Sequence, residues 1–346
     1  MKIFYAIQAT GNGHISRAME LVPYLQQYGT VDIFLSGANS NLALDAPIKF
    51  RSKGLSLFYN CTGGLDYWQI VKGYQPLRLR KETHELPVEQ YDLVINDFEH
   101  ITSAACAKKK IQSINFGHQA SFQSAHTPRP IRKSAAGEWV LKNYAKATQY
   151  VGLHFKKYDN FIFTPIVKKE ILQSEPSDSN YITVYLPSYC EPQLTTIFQS
   201  IQDCQFQIFC RDINQPKTNG NITFLPINKI FFNKSLIHCT GIITGGGFET
   251  PAEALQLGKK IMAIPIRSQY EQQCNAAALK EMGVFCTDSL ENNFNTIFRK
   301  WMNSPTLPKV DYSQSMQQSV EYLFSLYQQS RKKSSFVPEL YEEEII

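Results

Sequence analysis

The sequence predicts a two-domain α/β protein in which each half is built on a parallel sheet. Three observations carry that expectation. The chain is 346 residues long, and domains usually run to about 100–200 residues, so two are expected. Short β-branched or aromatic runs alternate with helical patterns along most of the chain, the sequence form of strand–helix–strand units. The same strand-turn-helix plan opens the chain and restarts at Tyr181, although no internal repeat is visible.

Hydrophobic residues at 43% and charged residues at 19% suit an ordinary globular protein with a sizeable, aromatic-rich core. A net charge of +5 suits an anionic ligand or a membrane surface and does not call for nucleic acid. The eight cysteines, at 61, 106, 190, 204, 210, 239, 274 and 286, contain no CxxC pair. That spacing fits neither a zinc site nor a small disulfide scaffold, and the cysteines read as buried reduced thiols. The N-terminal apolar stretch is too short for a signal peptide. No stretch approaches the ~18 apolar residues of a membrane span, so a cytoplasmic protein is expected.

In the first half, residues 2–8 hold Ile3, Phe4, Tyr5 and Ile7 and read as the first strand. Residues 9–13 turn the chain. Ile15, Met19, Val22 and Leu25 then recur at helical spacing over 15–28, with Pro23 as an expected kink and Gly29 as the stop. Residues 31–35 form the second strand. The first turn, Gly11-Asn12-Gly13-His14, invites the dinucleotide fingerprint G-x-G-x-x-G. Ser16 stands where the third glycine belongs, and Asp32 lies at the start of the second strand instead of its end. Both departures argue against a nicotinamide or flavin site.

Residues 39–90 are less regular, with Gly63, Gly64, Trp68 and the basic run Arg78-Leu79-Arg80-Lys81. That run is either a solvated face or a contact for an anionic acceptor. Residues 91–96 (YDLVIN) form a buried strand leading into Asp97-Phe98-Glu99-His100. Acids at a strand end are functional candidates. Either can also cap a helix over 100–109, capping being the safer role for Asp97. A strand over 111–116 ends in Gly117-His118-Gln119, which adds His118 as a cleft candidate. Residues 121–150 are basic and interrupted by prolines, then helical around Trp139. The polar stretch 167–180, with Pro176, marks a domain boundary.

The second half restarts with a strand over 181–186, leaving through Pro187-Ser188-Tyr189; Ser188 either touches phosphate or simply holds the turn. Helix is expected over 191–202, strand over 205–210 and 221–225, and a short helix with Phe231, Phe232 and Leu236 over 229–237. Ile242 and Ile243 then end a β-branched run at Thr244, and Gly245, Gly246 and Gly247 follow. Thr250 is the expected N-cap, Pro251 the first helical residue and Glu253 the capping-box partner. Gly258 ends that helix, and 259–265 is a buried strand. A glycine turn leading into a helix leaves backbone N–H groups uncovered at the positive end of the helix dipole, which suits phosphate. The same pattern also serves as a plain tight connection. A helix through Asn275 stops at Gly283, a final helix covers 311–329, and the charged stretch 331–346 is expected to be loose.

Residues 240–283, with the three glycines, Glu253, Pro265, Gln272, Gln273 and Asn275, resemble the donor-binding segment of nucleotide-sugar glycosyltransferases of the GT-B fold. In that fold two Rossmann-like parallel-sheet domains face a central cleft. The likeness is to the peptidoglycan N-acetylglucosaminyltransferase (MurG-like) family; it is specific over this segment and weaker elsewhere. It implies that Gly245, Gly246 and Gly247 face a diphosphate. Glu253 would hold the ribose hydroxyls, and Gln272 and Gln273 would face the sugar, with Phe248, Thr250 and Asn275 also among the donor-binding residues. Ile227 would cradle the base ring and Ser188 the phosphate side. The opening Gly11, Asn12, Gly13 and His14 resembles the family's acceptor-domain Gly-x-Gly-His loop. His14 is then a base toward an acceptor hydroxyl or a donor toward the departing diphosphate, and imidazole serves either role near neutral pH; the alternative is a histidine that caps its own helix. Relatives carry a similar Asp-x-Glu at Asp97 and Glu99, which makes either a candidate base. The implied domains are an acceptor domain at 1–166, a donor domain at 167–311, a helix at 312–330 crossing back to the first domain, and a loose tail at 331–346.

The implied activity is transfer of a sugar from a nucleotide-diphosphate sugar, uridine being the family's common base, to an acceptor hydroxyl in cell-envelope glycan or glycolipid synthesis. No two glutamates lie eight residues apart, the pattern of the retaining branch of this fold, so inversion by direct displacement is expected. No metal and no cofactor beyond the nucleotide sugar is expected, because a glycine turn and helix end can offset the diphosphate charge. The partners are the nucleotide sugar and an acceptor sugar, glycolipid or small molecule. A lipid-linked acceptor would bring residues 121–150 into peripheral contact with the inner face of the membrane. The alternatives are a UDP-sugar 2-epimerase, which needs no acceptor, and a non-catalytic nucleotide-sugar-binding protein.

Overall fold

The computed structural model describes residues 1–9, 11–37, 44, 46–54, 75–267, 269–290 and 293–335. Cys61, Gly63, Gly64, Trp68 and the tail beyond 335 lie outside the described residues. The described strands form two seven-stranded sheets. The first contains β1 (Lys2–Gln8), β2 (Thr30–Ser36), β3 (Ile48–Ser52), β4 (Leu93–Asp97), β5 (Ile114–Gly117), β6 (Gln149–Leu153) and β7 (Ile162–Phe163), in the order β3-β2-β1-β4-β5-β6-β7. All its pairings are parallel. The second contains β8 (Tyr181–Tyr185), β9 (Gln205–Cys210), β10 (Lys217–Asn219), β11 (Ile222–Pro226), β12 (Gly241–Thr244), β13 (Lys260–Ala263) and β14 (Phe285–Cys286). Its order is β10-β11-β9-β8-β12-β13-β14, parallel except where β10 meets β11.

Both sheets reverse their strand order at the first strand, between β1 and β4 and between β8 and β12. A crevice opens at the carboxyl ends of the strands at such a point. The physical cause is the covering of both faces by helices, which buries the central strands outright. Every residue of β1 after Lys2 is buried, and so is all of β4 and β12. These strands therefore read as continuous apolar runs instead of alternating ones.

Eleven helices lie among the described residues: α1 (Asn12–Leu25), α2 (Pro76–Glu85), α3 (His100–Lys109), α4 (Ala135–Asn143), α5 (Lys169–Leu172), α6 (Glu191–Gln199), α7 (Lys229–His238), α8 (Glu249–Gln256), α9 (Tyr270–Glu281), α10 (Phe294–Asn303) and α11 (Ser315–Ser335). α1 starts three residues before its first apolar position, because extended Gly11 already stands at its N-cap, and it ends at Leu25, in the turn that holds Pro23. The basic run lies on α2, where Leu79 alone is buried and Arg78 and Lys81 face Glu82 and Glu85 one turn on. It is a solvated helix face with i,i+4 pairs. α11 runs through Ser335, past the expected stop at 329. It packs on the first sheet's side: Tyr312 just before it donates to the Phe155 carbonyl at 3.2 Å, and Phe324 stacks on Tyr28 with ring centres 3.7 Å apart. The seven described cysteines are free thiols, and burial pushes the thiols of Cys106, Cys210 and Cys274 up to about 12. No described helix is long and apolar enough to cross a membrane.

Candidate functional site

A cavity of about 290 Å³ opens between the carboxyl ends of the two sheets. Loops from both switch points line it: Gly11–His14 after β1, Pro187 and Ser188 after β8, and Gly247–Thr250 after β12. β1 and β4 are parallel neighbours in register, Ile7 beside Asp97. The end of β4 thus delivers a carboxylate to the first turn of α1. His14 Nδ1 lies 2.9 Å from Asp97 Oδ1. With Nδ1 so engaged, Nε2 is the nitrogen available to a substrate. The His14 side chain is 11% exposed and that of Asp97 is fully buried.

Asp97 is also held by Arg17, whose Nε donates to Oδ2 at 3.1 Å and whose Nη2 donates to Oδ1 at 2.8 Å. Burial alone would raise the Asp97 pKa, but Arg17 and His14 offset it and hold the group below the usual carboxylate value. An ionised Asp97 bonded to Nδ1–H orients the ring and stabilises an imidazolium, the geometry in which histidine acts as a general base.

Of Asp97 and Glu99, either of which could cap or serve as base, Glu99 takes the cap and Asp97 the place beside His14. Glu99 is the N-cap of α3: its carboxylate accepts from the N–H groups of Ile101 at 2.9 Å and Thr102 at 2.6 Å. It is buried and does not line the cavity, whereas Asp97 faces His14 and does not cap. The residue between them decides this. Phe98 adopts φ +56°, a conformation rare for a bulky residue, and it turns the two carboxylates to opposite sides of the chain.

The glycine turn is only partly open. Gly246 is buried; its N–H donates to Gln272 Oε1 at 3.1 Å, and a Cβ there would sit 2.6 Å from the Gln272 carbonyl oxygen. The cavity is faced by Gly247 and the start of α8, not by Gly245 or Gly246. α8 begins at Glu249 with Phe248 before it, so Thr250 is a first-turn residue instead of the N-cap, and Pro251 follows it. Glu253 makes no capping box. Its carboxylate is 2.9 Å from Lys168 Nζ, and burial raises its pKa against the pull of Lys168. Glu249 and Thr250 in the first turn have N–H groups without an intrahelical partner and line the cavity, Pro251 having no N–H, with Glu253 one turn further along the same wall.

Gln272 lines the cavity together with Glu271, but Gln273 does not. Each helical residue turns about 100°, which carries Gln273 past the rim. The Gln272 side-chain oxygen Oε1 is already taken by Gly246 N–H and by Ile266 N–H at 2.9 Å, leaving its side-chain NH₂ for a ligand. Asn275 is a correction too. It is fully buried, donates to the Gly246 carbonyl at 2.9 Å and meets His118 Nε2 at 2.7 Å. It pins the glycine turn to the first domain and contacts no ligand space. His118 sits on the cavity wall with both nitrogens engaged, Nδ1 on the Leu153 carbonyl at 2.9 Å, and its ring stacks on Phe248 at 4.0 Å; burial lowers its pKa. Ser188 and Ile227 both line the cavity.

Among the lining residues that escaped the sequence reading are Arg17, Lys168, Glu249 and Glu271. Arg17 had a signal, being three residues after His14 on one helix face. Lys168 lies in the polar stretch taken as a boundary and had none. Several contacts join the domains across the cavity: Arg17 with Glu249, Gln119 Nε2 with Glu271 at 3.1 Å, and Asn12 with the Tyr185 hydroxyl at 3.4 Å. Among the described residues no three His, Cys, Asp or Glu side chains cluster as a metal site would need.

A model of glycosyl transferase family 1 matches residues 1–300 of the chain. No curated protein matches it by sequence. Among solved structures it is similar to Arabidopsis thaliana UGT89C1 complexed with UDP, at 14% identity and a TM-score of 0.60, over 94% of this chain and 99% of that one. It is similar to Phytolacca americana UGT2 complexed with UDP-2fluoro-glucose and pterostilbene, at 14% identity and a TM-score of 0.55, over 96% and 95%. The spinosyn forosaminyltransferase SpnP is similar at 11% identity and a TM-score of 0.53, over 96% and 99%. At such identities the likeness establishes the fold, which is GT-B.

Proposed function

The chain belongs to glycosyl transferase family 1, and on that premise we propose that it moves a sugar from a UDP-linked donor to an acceptor hydroxyl, with inversion and without a metal. The acceptor, a small molecule or a glycan, enters on the side of residues 1–166, and the donor lies on residues 167–311. One observation carries the reading: the His14–Asp97 pair of the first domain faces the start of α8 in the second across a single cavity. In the proposed reaction His14 Nε2 takes the acceptor proton as the oxygen attacks the anomeric carbon. The bond from that carbon to the diphosphate oxygen breaks, and the diphosphate leaves with the electron pair. First-turn N–H groups of α8 stabilise the charge that develops. Attack from the His14 side, opposite the diphosphate, inverts the centre. Similar structures solved with UDP and with UDP-L-rhamnose support a uridine donor, and one solved with quercetin supports a small acceptor.

The test is release of UDP from UDP-sugars against an acceptor panel. Release that depends on the acceptor is expected; an epimerised donor in the absence of any acceptor would transfer the protein to the epimerases. Glu253, buried and charge-paired with Lys168, is assigned to the ribose hydroxyls. Glu253→Ala is expected to weaken UDP binding by roughly 1.5–3 kcal/mol, the usual worth of hydrogen bonds to a charged group. Unchanged affinity in titration calorimetry would remove that assignment.

A further inference from the structure

Arg17 is engaged on three sides. Its guanidinium donates to Asp97 through Nε and Nη2, Nη1 meets the Glu249 carboxylate, and Nη2 lies 3.1 Å from His14 Nδ1. The residue is 3% exposed. Asp97 belongs to the first domain and Glu249 to the second, so one cation joins them.

Glu249 occupies an awkward place. It is the first residue of α8, the helix end that the proposed function gives to the diphosphate. Its carboxylate carbon lies 3.4 Å from where a Cβ on Gly13 would be, so it stands between the loop after β1 and the loop after β12. A free carboxylate there competes with the diphosphate for the same helix end and repels it. Burial raises its pKa, with Arg17 and His14 acting in the opposite sense.

We propose that Arg17 is the positioning residue that makes the diphosphate seat usable, by neutralising Glu249 and tying the start of α8 to the Asp97 side of the His14 pair. The inference rests on the reading of the cavity as a UDP-sugar site. It assigns Glu249 no ligand contact: the carboxylate is a charge that must be answered, and Arg17 answers it. It also makes the register between the domains part of the electrostatics, because the cation and one of its acids arrive on helices of separate domains.

Neutralising each charge in turn tests this. UDP affinity is measured by calorimetry for wild type, Glu249→Gln, Arg17→Met and the double variant. Arg17→Met leaves two acids beside the diphosphate and is expected to weaken UDP roughly 10- to 100-fold. The double variant is expected to recover at least tenfold of that loss, while its kcat stays low because Asp97 is no longer held. A merely structural role for Arg17 predicts no recovery, and a double variant as weak as Arg17→Met overturns the proposal. Glu249→Gln alone folds with least risk and is expected to bind UDP within about threefold of wild type, or tighter; a tenfold loss would make Glu249 a ligand contact and overturn it as well. Wild-type protein that fails to bind UDP would instead overturn the proposed function, and this inference with it.

Discussion

Replacing His14 with alanine is expected to lower turnover by about 10²–10⁴-fold, the usual worth of a positioned general base, while UDP affinity stays within about twofold. The geometry separates the two effects. His14 Nδ1 is spent on Asp97, so what the mutation removes is Nε2, the acceptor-side nitrogen. The groups assigned to the donor, the start of α8 and Glu253, come from the other domain and keep their partners. Folding is also expected to survive, because Asp97 retains its bonds to Arg17. Steady-state kinetics beside calorimetry on the same preparation check this. Equal turnover in mutant and wild type would leave His14 only the task of starting α1.

Asp97→Ala is expected to be the most destabilising single change at the site, by about 3–5 kcal/mol, because it strands a buried arginine. The loss should fall at the lower end of that range, since Arg17 keeps Glu249 as a second partner. Equilibrium urea unfolding measures it, and a shift under about 1 kcal/mol would show the pair to be far better solvated than its burial implies. Turnover should fall as well, because the imidazole loses the group that orients it. The pH dependence has a definite sign. The folded pKa of Asp97 lies below its usual value, so the pair's stabilisation is fully present above the unfolded carboxylate pKa of about 4 and is lost as pH falls through the depressed folded value. Asp97→Ala should therefore flatten the acid limb of the stability curve.

The two acids on either side of Phe98 show how far the chain could be read. Their position at a strand end, next to a cleft, was plain from residues 91–100. Their division of labour was not. Which carboxylate turns inward depends on the left-handed backbone of Phe98 and on the Asn96 side chain, which bonds the Glu99 N–H at 2.6 Å and so closes that turn. Neither follows from residue type. The same holds for Glu253. The local pattern offered a capping box, but the carboxylate goes to Lys168, 85 residues away in the chain, because the packing brings that cation within reach.

Elements whose evidence is local were legible. The strand at 205–210 and the helix at 100–109 appear with those bounds, since apolar periodicity and caps act over a few residues. Elements with weak local patterns were passed over, such as β14 with two residues and β3 in a mixed stretch. α10 was passed over despite Phe294, Phe298 and Trp301 at helical spacing.

By itself the sequence determined the alternation of strands and helices, the glycine turn before α8 and the histidine after β1, since each is written in the chemistry of neighbouring residues. Only the tertiary structure decided that Asp97 is the partner of His14, that Asn275 pins Gly246, and that Arg17 stands between acids from two domains. Those contacts join residues 29 to 232 positions apart in the chain, and a charge removed from water takes whichever partner the packing brings within reach.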